Sequence, residues 1–558
     1  MTPPISPSHR SRRTPLPLGL AALLLVSGAA DAAVVYVDRL AAPGGNGTSW
    51  ATAFDGLAAG LSAAQPGDEI WVTAGAYANG GAPFQMPAGV ALYGGFGGNE
   101  TALSQRDFEL NVTELDGQGT TRIMEIPDSA QPDTIIDGVT FKDGYDFSTL
   151  TIGTLMLPQG KGGAIYSYSG SPTIRNSRFV NNQVNQNGAV IYDYNGSPTF
   201  ESCVFEGNVA GESAGVGYLY NASFTMRDCV LSGNEATNND GGAIYAYSNG
   251  APLLVNCLIV GNRAPSSSGD GGAIYRYGSS SNPVPLTMVN CTVSGNSAGG
   301  RAGAMYDYYG QSVIVNTILH GNTAPNAPNL YNGSSGSTNV TYSCVEGGFA
   351  GVGNIAGPPV FKSATDFHVD VTSPCLDAGD NTALPAGVAT DLAGDPRFID
   401  TPAAPDTGVG PAPIVDMGAY EGTGCPGPTT AYGAGCPGSG GVVPVLSATP
   451  CPRVGQQISL TFSNGLGGAP AIVFAGLAQG STTIDPSCTL LTAPVLPPLF
   501  TFPLGGSGPG NGSAVLTFLI APTSPVGLTA TVQFFTSDPN APFGVAGSNG
   551  LEVTYNAP

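Results

Sequence analysis

Histidine, tryptophan and positive charge are what this chain has least of: 3 histidines, 2 tryptophans, and 17 lysines and arginines against 39 acidic residues. Without a basic footprint a nucleic-acid partner is excluded. A hydrolytic triad needs a histidine or an equivalent base beside its nucleophile, and past the N-terminal leader only His320 and His368 remain, so at most one such site is available. His320, in VNTILHGN, reads as an exposed repeat position, and His368, in FHVD, has no partner motif. Neither points to a metal. Charged residues make up only 10% of the chain, yet 42% hydrophobic residues with 22 Tyr and 22 Phe exclude disorder. Long apolar runs are also missing. The one candidate, Leu16 to Val26, follows Arg10, Arg12 and Arg13 and precedes Ala30-Asp31-Ala32. That order predicts a signal peptide over residues 1–32, cleaved near Ala32, a secreted or cell-surface location, and no transmembrane segment in what remains.

What the chain has in abundance is repetition. Gly241 to Ala264 reads GGAIYAYSNGAPLLVNCLIVGNRA, and variants stand on both sides. One column of equivalent residues is Tyr166, Tyr192, Tyr220, Tyr245, Tyr275 and Tyr306. A second is Ser177, Cys203, Cys229, Cys257, Cys291, Thr317 and Cys344, in steps of 26, 26, 28, 34, 26 and 27. A third, Asn182, Asn208, Asn234, Asn262, Asn296 and Asn322, follows the second by five residues each time. Such a period also suits leucine-rich repeats, but these units lack regular leucines and are broken by Gly, Asn, Ser and Pro every few residues. They read as an all-β coil of about three short strands per turn, each pairing in parallel with its equivalent in the next.

In such a coil equivalent residues stack about 4.8 Å apart. The cysteines then form an interior ladder of small apolar side chains, the asparagines satisfy backbone at a bend and bond to one another, and Gly-Gly supplies the dihedrals of another corner. Disulfides between adjacent coils are the alternative for the cysteines, but parallel stacked side chains give poor bond geometry, which favours free buried thiols. Four cysteines in a line do not make a zinc tetrahedron.

The flanks carry a resemblance. YVDRLAAPGGNGTSWATAFDGLAAGLSAAQPGDEIWVTAGAY, LYGGFGGNETALSQRDFELNVTELDG, the GGAIY/GN repeats, and Asp391, Gly394, Arg397, Asp416, Gly418, Tyr420 and Glu421 resemble bacterial secreted and surface right-handed parallel β-helix proteins. They are similar to the passenger repeats of polymorphic outer-membrane proteins and to proteins classed by a variable, choice-of-anchor C-terminus. The resemblance implies a right-handed parallel β-helix over 33–422, with a cap at 34–75, the clearest repeats at 160–345 and a distal cap at 346–422. It does not choose among functions, because that superfamily holds adhesins as well as polysaccharide lyases and hydrolases. Ser49 to Ala64 has the spacing of a capping helix with Ser49 as its N-cap. A Gly/Pro linker, or a tight disulfide loop closed by Cys425 and Cys436, is expected at 423–440, and then a small β-sandwich over 441–558 that Cys451 and Cys488 could staple. The YGAGCPG opening of this module resembles accessory domains of planctomycete-type secreted proteins.

Two groups of residues could carry chemistry. The residue after each repeat tyrosine is Ser167, Asp193, Asn221, Ala246, Arg276 and Asp307; Asp193 and Asp307 stand four coils apart, too far for a glycosidase pair. The residue five before each is Lys161, Asn187, Gly215, Asp240, Asp270 and Arg301, which brings Asp240 and Asp270 to adjacent coils with Arg301 beyond. That spacing would serve a lyase or a retaining hydrolase, or a weak Ca²⁺ site; the plainer alternative is Asp as a turn former before Gly-Gly. No cofactor is required. The second group is the tyrosines two further on, Tyr168, Tyr194, Tyr247, Tyr277 and Tyr308, with Tyr220 lacking a partner at Ala222. One tyrosine column is expected to pack inward or at a corner and leave the other exposed, with Tyr194, Tyr247, Tyr277 and Tyr308 placed to meet sugar rings. Seven ladder positions make a rod about 30 Å long, suited to an extended chain. The expected partner is a polysaccharide or another cell-surface component, neutral or Ca²⁺-bridged because the chain is acidic.

Overall fold

The computed structural model describes residues 32–146, 160–422 apart from 248–249, 251, 280–284 and 402–403, and 429–555 apart from 450–451, 453, 455–456, 487, 497–500, 522, 526 and 543. The signal-peptide segment before residue 32, Cys425 and Cys451 therefore lie outside the described residues.

Each repeat becomes one coil because short apolar-alternating stretches are separated by residues that turn the chain. A representative coil runs through Ile165–Tyr168, Thr173–Arg175, Arg178–Val180 and Gln183–Val184, each pairing in parallel with the strand one coil later. Stacking gives sheets of 9, 11, 10 and 6 strands among the described residues, called here the tyrosine, second, third and fourth sheets. This is an all-β right-handed parallel solenoid. The expectation of about three strands per turn misses the fourth sheet, whose two-residue strands are too short to show alternation.

The interior is built of lines rather than clusters. In the third sheet Phe141, Phe179, Phe205, Leu231, Ile259, Val293, Leu319 and Val345 are successive pairing partners, all buried, with the three phenylalanine rings 4.8 and 5.0 Å apart. Between the second and third sheets the chain turns on one left-handed residue per coil: Asn176, Ser202, Asp228, Asn256, Asn290, Asn316 and Tyr342, with φ from 46° to 54°. Asparagine and aspartate tolerate that region best, which explains their recurrence there. The next residue is the buried ladder position: Ser177, Cys203, Cys229, Cys257, Cys291, Thr317 and then Ser343, whose hydroxyl accepts the Thr317 N–H at 3.0 Å. Cys344 is thus not the last rung. It pairs with Ile318, one residue further on, because the final step is one residue shorter than the cysteine suggests. The four cysteines Cys203, Cys229, Cys257 and Cys291 are buried free thiols.

Between the third and fourth sheets lies the asparagine ladder. Asn182, Asn208, Asn234, Asn262, Asn296 and Asn322 are buried. Each of the first five donates from Nδ2 to the Oδ1 of the next at 2.8–2.9 Å. That same Oδ1 also accepts the backbone N–H of the preceding asparagine, and the second Nδ2 hydrogen goes to a carbonyl of the previous coil, such as Leu231 O for Asn262. At the fourth corner Gly271 has φ of 65°, and a Cβ there would stand 2.3 Å from the Ile274 carbonyl, so the Gly-Gly pair meets a steric requirement.

The helical cap is shorter than the sequence suggests. The segment splits into a 3-10 turn, Trp50–Thr52, and helix α1, Leu57–Ala63, whose N-cap is Gly56. Ser49 precedes the turn but makes no side-chain cap bond. Leu57 and Leu61 bury against the first coil, and Gly60 sits so close that a Cβ would lie 2.5 Å from Val37 Cγ2.

At the other end, residues 346–422 do more than cover the last coil. Asn256 donates to Thr390 O and receives Arg397; Asn290 donates to Asp416 O; Asn316 donates to Asp380 O and accepts the Asp380 N–H. The segment thus runs back beside three coils, held at the side chains of the left-handed turn. Buried Arg397 joins Asn256, the Gly418 and Ala419 carbonyls and Glu421.

The C-terminal module is an antiparallel sandwich. Thr430–Tyr432, Gly550–Thr554, Thr529–Ser537, Pro470–Gly476 and Thr501–Pro503 form one sheet, with Val545–Gly547 paired beside it. Val445–Thr449, Gln457–Gly467 and Gly508–Leu519 form the facing one, and Phe462 stacks on Phe534 between them. Its first strand lies inside the expected 423–440 linker, because Thr430–Tyr432 pairs with Gly550–Glu552. Cys488 is bonded to Cys436, with the Cα atoms 4.7 Å apart, rather than to Cys451, and this pairing also rules out a loop closed by Cys425 and Cys436.

Replacing Asn262 by Ala leaves the buried Asn234 N–H and one Nδ2 hydrogen of Asn234 without their acceptor and removes the side-chain donor to the Leu231 carbonyl. We expect a loss of about 3 kcal/mol in chemical denaturation, against a change under about 0.5 kcal/mol for Ala at the exposed Gln183.

Candidate functional site

Alternation decides what the tyrosine sheet shows. In Ile165–Tyr168 the isoleucine and Ser167 point into the coil, which leaves both Tyr166 and Tyr168 outside. The pairing register then makes two outer columns. The first is Tyr166, Tyr192, Tyr218, Tyr245, Tyr275, Tyr306 and Tyr331; the second is Tyr168, Tyr194, Tyr220, Tyr247, Tyr277 and Tyr308. One expectation is corrected here: Tyr220 belongs to the second column, its place in the first being taken by Tyr218. Neither column enters the coil interior, but the first is the one that packs down, with Tyr275 and Tyr306 buried against Ala302, and the second is the more exposed. The sequence misled because the unit around Tyr218 reads GVGYLY in place of GGAIY, so an alignment on the last tyrosine slips by two.

Within the second column successive ring centroids are 4.7–5.2 Å apart, and all but the last pair lie within 15° of parallel. Rings side by side in one plane cannot come that close, so they overlap face to face with an offset. Their faces are therefore spent on each other, and what reaches solvent is edges and hydroxyls. Among the described residues the most open ring of the column is at its end, Tyr168, which is 45% exposed. The first column is sunk deeper: burial pushes Tyr166, Tyr218 and Tyr306 up to about 12, and Tyr192, Tyr245 and Tyr275 further still. Cations sit over this column, with Arg122 4.8 Å from the Tyr166 ring, Lys161 4.6 Å from that of Tyr192 and Arg301 4.8 Å from that of Tyr306.

Beside the first column runs the line Lys161, Asn187, Ser213, Asp240, Asp270, Arg301 and Asn326, with Ser213 in the place expected for Gly215. Asp240 and Asp270 do occupy adjacent coils. Asp240 Oδ1 accepts the Asp270 N–H at 2.9 Å; Asp270 Oδ1 accepts the Arg301 N–H at 2.7 Å, and its carboxylate takes the Arg301 guanidinium at 3.1 and 2.6 Å. Each carboxylate thus ties down the next coil, and buried Asp270 is engaged by Arg301 through both of its oxygens. Asp240 is pushed up to about 6, first by burial and then by Asp270, against the opposing pull of its hydrogen bond and Arg301.

Inside the same sheet the inward column is Ser167, Asp193, Leu219, Ala246, Arg276 and Asp307, with Leu219 standing where Asn221 was expected. Asp307 accepts the Ser312 hydroxyl and lies one coil from Arg276, each favouring the other's charge. Asp193 accepts the Gly196 N–H at 2.6 Å, but no cation acts on it, and burial lifts it to about 7. These are interior groups closed to any substrate. His320 is half-buried with Nε2 3.9 Å from Glu346, and His368 bonds Asp366 at 2.6 Å and stacks on Tyr420. Neither is near the tyrosine columns in the register.

Residues 128–284 match the sequence model of the family described as right handed beta helix region. The comparison with curated proteins gave no match. Among solved structures, the chain is similar to the pectate lyase Pel9A, at 12% identity over 71% of this chain and 97% of that one, with a TM-score of 0.38. It is also similar to the enzymatically active domain of tailspike protein 4 of bacteriophage CBA120, at 12% identity over 87% and 64% of the two chains, with a TM-score of 0.27. At those scores neither likeness carries an argument about chemistry; the stacked parallel sheets define the class, a right-handed parallel β-helix protein.

Asp193 and Asp240 hold protons in the folded chain at pH values where the unfolded chain has lost them, so the folded state weakens as pH rises from about 4 through 6 and 7. The melting temperature should accordingly be higher at pH 5 than at pH 8. Asp193→Asn, which keeps the acceptor for Gly196, should stabilise at pH 8 by about 3 kcal/mol and remove part of that pH dependence.

Proposed function

We propose that this protein is an extracellular or cell-surface structural and adhesive β-helix, and that it binds polysaccharide along the outer tyrosine column. The observation that carries this reading is the continuous line of Tyr168, Tyr194, Tyr220, Tyr247, Tyr277 and Tyr308 at coil spacing. A row of phenol hydroxyls repeating along one axis suits a ligand that is itself a linear repeat of hydroxyls. Because the ring faces are covered by one another, recognition rests on hydrogen bonds from hydroxyls and ring edges, with stacking on a sugar confined to the ladder's end. The flanking column carries two charges of each sign, Lys161 and Arg301 against Asp240 and Asp270, which matches a neutral chain better than a strongly anionic one. The leader-like N-terminus and the likeness of the flanks to bacterial surface proteins support the location, and the sandwich serves as an attachment or spacing module.

Cleavage by Asp240 and Asp270 with Arg301 is the alternative, and the bidentate Arg301–Asp270 pair counts against it. Incubation with acidic and neutral glycans, with and without Ca²⁺, is expected to yield neither unsaturated products absorbing in the ultraviolet nor new reducing ends. Turnover that disappears in Asp240→Asn while the fold survives would establish the enzyme instead.

For binding, a glycan array read with and without Ca²⁺ identifies the ligand. The variant with Tyr220, Tyr247 and Tyr277 changed to Phe keeps the stacked rings and removes three hydroxyls. Its affinity for the best ligand should fall at least about 10-fold with the melting temperature unchanged. Undiminished binding would move the site to another face.

A further inference from the structure

Outside the tyrosine sheet, the distal segment gathers three carboxylates that nothing above employs. Asp377, in SPCLDAGD, is fully buried and adopts a left-handed φ of 49°. Its carbonyl accepts the Thr407 and Gly408 N–H groups, and its Oδ2 accepts the Thr401 N–H at 3.2 Å, so Thr401 and the Thr407–Gly408 pair are both tied to it. These ties bring Asp400 and Asp406 to it, with one carboxylate oxygen from each of the three within 4.8 Å of the others. Oxygens at about 2.4 Å from one Ca²⁺ can be no more than about 4.8 Å apart, so all three fit a single ion.

Two further atoms mark the place as unfinished. Asp377 Oδ1 and Thr401 Oγ1 are both buried without a hydrogen-bond partner, and Thr401 is held against Asp377 by its own backbone N–H. A buried carboxylate oxygen and a buried hydroxyl each cost free energy when left unsatisfied. Asp400 and Asp406 are exposed, which leaves the remaining coordination positions open to water.

We propose that Asp377, Asp400, Asp406 and the Thr401 hydroxyl form a Ca²⁺ site that pins Asp400, Thr401 and Asp406 to the distal cap of the β-helix. The donor set is all oxygen with a threefold negative charge, which selects a hard divalent cation; three carboxylates whose oxygens lie up to 4.8 Å apart suit the larger Ca²⁺, whereas Mg²⁺ keeps its waters and holds its ligands closer. Affinity in the range of extracellular calcium modules, about 10⁻⁴ to 10⁻³ M, is expected. The site lies in the cap, whose Leu376 and Ala378 pack with Ile318 and Cys344 of the last coils, so the ion would stabilise that end.

Calorimetric titration of the full chain with CaCl₂ after chelation should show one ion per chain at this site, and the melting temperature should rise with Ca²⁺ and fall back with EDTA. Asp377 is buried and its substitution endangers folding, so the exposed pair carries the test. Asp400→Asn and Asp406→Asn should each weaken binding at least about 10-fold, and the double variant should lose both the heat and the thermal shift while melting like the calcium-free parent. Absence of binding by the folded parent at about 10 mM Ca²⁺, or binding that survives in the double variant, would overturn the assignment.

Discussion

Everything in the solenoid depends on equivalent residues meeting at each coil, and the buried asparagine ladder enforces this most strictly. A backbone parallel pair tolerates a slip by two residues, since the inward face is preserved. The ladder does not, because each asparagine must place its Oδ1 on both the N–H and the Nδ2 of the one before. Any coil out of register leaves buried amide groups without partners. The 34-residue step from Asn262 to Asn296 shows the consequence: the extra chain is absorbed between strands, and the pairing of Leu258–Val260 with Thr292–Ser294 continues unbroken.

The same register turns each repeated residue into a line, with benefits and costs. Apolar lines pack as continuous stacks, and tyrosines pack the same way on the outside. Charged lines would repel at coil spacing, so the chain breaks them. Asp240 and Asp270 end on Arg301, and inside the coil Asp307 follows Arg276. Asp193, with no cation acting on it, is where that remedy is missing, and its displaced titration follows.

The distal segment shows how a repeat is terminated without another repeat. It borrows the left-handed turn residues, whose side chains point away from the core and are free to bond outward. Asn256, Asn290 and Asn316 give the returning chain three successive anchors, and buried Arg397 gathers the most distant of them to the carbonyls near the end of the segment. The carboxylates at Asp377, Asp400 and Asp406 lie on this returning piece, outside the repeat's own logic.

By itself the sequence determined the coil, because a repeat that preserves its spacing must place like on like, and the columns headed by Cys203 and Asn182 could be read directly. It also set Asp240, Asp270 and Arg301 on consecutive coils. Where a unit departs from the consensus, as at GVGYLY or beside Cys344, composition could not say which residue holds the rung; the backbone pairing decided for Tyr218 and Ser343. Tertiary structure alone decided that both tyrosine columns face outward with their ring faces covered, since this depends on which way a four-residue strand points. It alone brought Cys436 to Cys488 and Asp377 to Asp400 and Asp406. Those meetings join segments that lack a common period, and without a period the spacing along the chain says nothing about distance in space.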